Sequence, residues 1–145
     1  ASNGLFEQIT VDDNFLFLTT QENEGDDSAR ILQKEFSNSD DPRLLATSKN
    51  LSYRRSEIYQ YLGVKGGNKP HMYSVDINGE DKLVITSDGI HDNLKDDEME
   101  EILKKGGDYA ENLIGAALDR SHQGKAKHAR SKKDDMSAIV IQTPN

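Results

Sequence analysis

The segment Lys82-Leu83-Val84-Ile85-Thr86-Ser87-Asp88-Gly89 constrains the fold of this chain more than any other. Leu83, Val84 and Ile85 are consecutive and apolar, which reads as a strand, and the unbroken run predicts burial on both faces. The run stops at a carboxylate, Asp88. Gly89 follows, where the backbone must turn sharply. A second carboxylate, Asp92, stands four residues after the first. A carboxylate fixed at the end of a buried strand is costly unless something pairs with it, and a hard cation suits oxygen donors. The alternative is that Asp88 only makes a turn or caps the next helix.

A second run of the same kind, Ala138-Ile139-Val140-Ile141, comes directly after Asp134-Asp135-Met136-Ser137. If the two strands are antiparallel neighbours, the end of the first meets the start of the second, and Asp88 faces Asp134 at one sheet edge. Two unpaired carboxylates there repel, so one must take up a proton or a divalent cation must sit between them. Magnesium and manganese favour such carboxylate and water oxygens.

The residues between these strands predict two helices. The first covers about Asp97 to Lys105, with Asp97 and Glu100 at capping-box spacing, an apolar face of Met99, Ile102 and Leu103, and Gly106-Gly107 as its stop. The second begins at Asp108 and Glu111 and carries the stripe Ala110, Leu113, Ile114, Ala117 and Leu118. Ser121 to Lys133 is basic and poor in apolar residues and reads as a mobile loop. Its run from Lys125 to Lys133 is either a solvated surface or an attractor for an anionic partner.

Upstream, Tyr73, Val75 and Ile77 alternate with polar residues as in a half-buried strand, and Asn78-Gly79 predicts a hairpin turn into Leu83. Ser28 is placed to cap a helix with Ala29, Leu32 and Phe36 on one face. Ile58, Tyr61 and Leu62 suggest a helical turn. Leu5 to Thr10 reads as a short strand with no preceding neighbour, so the chain is expected to start in mid-fold.

The charge is −8, from 26 acidic and 18 basic residues, which argues against non-specific nucleic-acid binding. A mean hydropathy of −0.79 is polar for 145 residues and predicts long exposed loops or a face that needs a partner. No cysteine is present, which excludes disulfides, zinc–thiolate sites and a thiol nucleophile. The four histidines have no zinc spacing. No apolar run reaches the roughly 20 residues of a membrane span and no signal segment is present, so an intracellular, cytoplasmic protein is expected.

Four segments, in order, resemble the C-terminal portion of a metal-dependent serine/threonine phosphatase of the protein phosphatase 2C type. Leu5 to Asp13 resembles the family's "leu-x-gln-leu-thr-x-asp-his" stretch, with Asp13 where histidine is usual. Arg55 to Gly63 resembles its arginine-to-"leu-gly" segment. Leu83 to Asp92 resembles its "ser-asp-gly-x-x-asp" motif, and Asp134 to Val140 its "asp-asn-ile-thr-x-ile-val" strand. Asp135 stands where asparagine is usual, and Ser137 where threonine is usual.

The resemblance implies an α+β fold, the C-terminal half of an α-β-β-α sandwich of two antiparallel sheets flanked by helices. All of 1–145 would belong to one catalytic domain, with 12–69 as a variable flap that contacts phosphoprotein substrate and 70–145 as core. Asp88 and Asp134 would be ligands of a two-metal manganese or magnesium centre, and Asp92 would help hold a third ion. Gly89 would allow a tight turn beneath the metals, and Ser87 and Asp135 would flank it. A metal-bound water would attack phosphoserine or phosphothreonine in line. The family's "arg-x-x-asn-glu-asp", "asp-gly-x-gly" and "gly-asp-ser-arg" motifs do not occur here. The resemblance therefore implies a missing N-terminal half as partner, and an isolated chain without activity. The alternative function is a non-catalytic pseudophosphatase or regulatory protein-binding module.

Overall fold

A computed structural model describes residues 6–12, 14, 18, 20–21, 24–41, 58–59, 61–63, 65 and 70–142. The chain is a mixed helix and sheet protein in two compact units, one of Ala1–Glu7 with Val75–Asn145 and the other of Gln8–Ser74.

The unit of Gln8–Ser74 contains helix α1, Asp26–Asn38. Its N-cap, three residues before Ser28, is Gly25, whose φ of 92° suits glycine. Ser28 is thus inside the first turn, and its hydroxyl donates back to the Glu24 carbonyl instead of capping. Ala29 and Phe36 are buried, as their spacing predicts. Buried Gln33 donates to the Thr10 carbonyl and tethers the segment before α1 to the helix. Ile58 forms an isolated antiparallel bridge with Asn14 and is not part of a helical turn. Arg55, in one of the segments carrying the resemblance, lies outside the described residues, as do Leu5 and Asp13.

The other unit has the order β1 (Lys82–Thr86), α2 (Asp88–His91), α3 (Asp96–Lys105), α4 (Tyr109–Ser121) and β2 (Ala138–Gln142). The two strands pair antiparallel in the expected arrangement, Lys82 with Gln142 through Thr86 with Ala138. The pairing runs one residue further, because the Ser87 amide donates to the Ser137 carbonyl.

The Asp108 carboxylate accepts from the Glu111 amide and caps α4 as its spacing predicts. Helix α3 starts one turn position earlier than the sequence pattern suggests. Glu98, not Glu100, reaches back to the amide of Lys95. Gly106 and Gly107 end α3 with φ of 78° and 88°. Ile90, Leu94, Met99, Leu113 and Ala117 form the core, with Val84, Met136, Ala138 and Val140 packed on it. An ion pair between Arg120 and Glu98 ties α4 to α3 at its margin.

Two expectations fail here. Residues 71–78 form no strand, although the Asn78-Gly79 turn does close, with the Asp81 amide donating to the Asn78 carbonyl. Tyr73 and Val75 remain exposed, so the alternation there has no core to face. The two strands are also not buried on both faces. Successive side chains alternate across a sheet, and helices cover only the face with Val84, Ala138 and Val140. On the other face Ile85 is 51% exposed, Ile139 57% and Ile141 45%. Among the described residues the sheet has two strands and one covered side.

Candidate functional site

Asp88, Asp92 and Asp134 converge on one ammonium. Lys132 Nζ lies 2.7 Å from Asp92 Oδ2, 2.9 Å from Asp134 Oδ2 and 3.4 Å from Asp88 Oδ2. Asp88 comes from the first position of α2, immediately after β1, and Asp92 from its C-cap. Asp134 enters on the approach to β2. The antiparallel register brings these positions to one edge, as the placement of the two apolar runs predicts. Capping does not explain Asp88: the N-cap of α2 is Ser87, and no side-chain cap bond forms.

The residues around these carboxylates are held by backbone contacts. Ser87 Oγ accepts from the Ser137 amide and donates to the Asp135 carbonyl, so it joins the ends of both strands. Asp135 contributes through its main chain; its amide donates to Asp134 Oδ1 and its side chain is exposed. Gly89 has a different purpose from the one its sequence context suggests. It lies within α2 and its φ is not positive. A Cβ at this position would collide with the carbonyl oxygen of Asp135. Glycine is needed there for close approach, not for a left-handed turn.

Lys132 itself is the residue that sequence reasoning missed, along with the group that positions it. Asn93 is fully buried, and its amide donates to the carbonyls of Gly89 at 2.8 Å and Lys132 at 2.9 Å. Its Oδ1 accepts from the Lys132 amide at 3.0 Å. The segment before Lys132, read as a mobile basic loop, is instead docked. Arg130 and Ser131 are each 4% exposed. Arg130 donates to the His91 carbonyl, and Ser131 Oγ bridges the Ser121 carbonyl and the Gly124 amide. Composition misleads here because these polar groups are buried against backbone partners, a kind of burial that hydropathy does not register.

Partial burial works to lower the Lys132 pKa, but hydrogen bonds to Asp92 and Asp134 and the neighbouring negative charges outweigh it and raise it well above the usual lysine value. The hydrogen bond from Lys132, with that from the Asp135 amide, holds Asp134 below the usual carboxylate range. These shifts set the pH window of the cluster. The Asp134 contribution is complete above the ordinary carboxyl value of 3.8 and is lost as pH falls through its lower folded value. The Lys132 contribution is complete below the ordinary amine value of 10.5 and is lost as pH rises through its higher folded value. Thermal melts of wild type and Asp134→Asn should therefore differ across neutral pH and converge in acid, once the pH has fallen below 3.8 and through the lower folded value of Asp134. A difference that persists undiminished into strong acid would rule out the Asp134 linkage.

Among the described residues, no group of three or more histidine, aspartate or glutamate side chains is placed to hold a metal ion as it stands. What is gathered is a set of hard oxygen donors around a cation, the donor type that magnesium and manganese prefer. Compared with known protein families, curated proteins and solved structures, the chain matches none. No helix among the described residues is long and apolar enough to cross a membrane.

Proposed function

We propose that Asp88, Asp92 and Asp134 are divalent-cation ligands within a protein serine/threonine phosphatase domain of the 2C type. The observation that carries this reading is that three carboxylates, from the end of β1, the end of α2 and the approach to β2, turn onto one cation. Bound manganese or magnesium would supply positive charge to a phosphoryl group and acidify a water beside it. The chain's own contribution is to hold the carboxylates at one sheet edge. Ser87 couples the two strand ends, and Gly89 lets α2 lie directly against the Asp135 carbonyl.

The uncovered apolar face of β1 and β2 supports the finer fold reading, an α-β-β-α sandwich in which residues beyond this chain supply the second sheet. In that reading 12–69 is the flap that meets the phosphoprotein substrate. The test is manganese-dependent hydrolysis of a phosphoserine peptide by a complete domain containing these residues. Asp88→Ala should lower the rate on the order of a hundredfold or more. Retention of wild-type hydrolysis by that variant would refute the assignment.

One observation favours a non-catalytic module instead. The carboxylates already have a cation in Lys132, so the edge is neutralised in part without metal. A protein that binds no manganese at millimolar concentration yet binds a protein partner tightly would fit that second reading.

A further inference from the structure

The ammonium of Lys132 stands where the proposed metal would stand. We infer that Lys132 is a built-in competitor for the divalent cation, a tethered charge that holds the three carboxylates together and must swing away when a metal binds. The inference rests on the reading of Asp88, Asp92 and Asp134 as metal ligands.

Two features separate Lys132 from a surface lysine that happens to fold over acidic neighbours. Its root is fixed: amide and carbonyl are both bonded to the side chain of Asn93, which is fully buried. The residues before it are fixed too, with Arg130 on the His91 carbonyl and Ser131 on the Ser121 carbonyl. The backbone therefore delivers this one side chain to the carboxylates each time the unit folds. Its head, in contrast, is free to leave. The Lys132 side chain is 42% exposed, so the stem can turn into solvent without opening the core.

The charges point the same way. Three carboxylates and one ammonium leave the cluster with two net negative charges. A divalent cation compensates more of that charge than a single ammonium does, so metal at sufficient concentration displaces the lysine. The tether has a cost for metal binding, because the bound state must first break three ion pairs. Apparent affinity is reduced by the fraction of molecules in which Lys132 occupies the edge. The same device keeps the carboxylates from repelling one another when metal is scarce.

The test is calorimetric titration of manganese into the 145-residue chain. It compares wild type with Lys132→Met, Lys132→Arg and the double variant Lys132→Met with Asp134→Asn, with folding of each checked by circular dichroism. Lys132→Met should bind manganese at least tenfold more tightly than wild type, and the gain should vanish in the double variant. Its melting temperature without metal should fall, and manganese should restore it. Lys132→Arg, which keeps a tethered cation, should bind no more tightly than wild type, so a failure of the methionine variant to fold still leaves a prediction to check. Equal affinity of wild type and Lys132→Met, with loss of binding in the double variant, would overturn the competition while sparing the metal site. Absence of manganese binding in every variant would overturn both.

Discussion

Gly89→Ala is expected to destabilise the unit carrying the site by about 3 kcal/mol, the upper end of the range for overpacking, because the added methyl meets backbone instead of a side chain that can move. The direction is diagnostic. Replacing a helical glycine by alanine ordinarily stabilises by about 0.5–1 kcal/mol. Gly115, within α4, provides the control: a Cβ there meets nothing within 4 Å, so Gly115→Ala should show the ordinary gain. At Gly89 the methyl would press on the Asp135 carbonyl and force α2 away from the approach to β2. Asp88 and Asp134 would then separate. Urea unfolding of the two variants measures both effects, and stabilisation by Gly89→Ala would show that this close approach does not exist.

Asn93→Ala should cost a similar amount, about 3 kcal/mol, because three backbone groups lose their partner at about 1 kcal/mol each. These are the carbonyls of Gly89 and Lys132 and the amide of Lys132. Asn93→Asp should be no better. It keeps the acceptor for the Lys132 amide but turns a carboxylate oxygen toward two carbonyls. The second readout is local: hydrogen exchange at the Lys132 amide should accelerate in both variants, since that amide loses its acceptor or its fixed geometry. A loss below about 1 kcal/mol with unchanged exchange would mean that Asn93 does not clamp the segment.

Much of the local structure could be read from the residues alone. The stripe on α4 and its Asp108 cap involve contacts three or four residues apart, and such contacts leave a visible period. The antiparallel pairing of the two apolar runs was also legible, and with it the approach of Asp88 to Asp134. Short runs without a core to confirm them fared worse. Tyr73 to Ile77 has the alternation of a strand, but a strand also needs a partner and a face to bury. Ser28 and Glu100 had the right side chains for capping roles, but Ser28 lies three residues past the N-cap Gly25, and the position that reaches back to the N-cap of α3 is Glu98, two residues before Glu100.

Which carboxylates share an edge follows from residue number once the two apolar runs pair antiparallel, because register and turn convert number into position. What those carboxylates face depends on packing between distant segments. Lys132 lies 44 residues from Asp88, in a basic run with no periodicity, and nothing in that run's composition distinguishes it from the other basic residues there. It is singled out by Asn93, 39 residues away, whose value depends on three backbone groups that exist as partners only after the chain has folded. The same holds for Gly89: its sequence neighbours suggest a turn, whereas the reason for glycine is a carbonyl oxygen brought against it from 46 positions later, at Asp135.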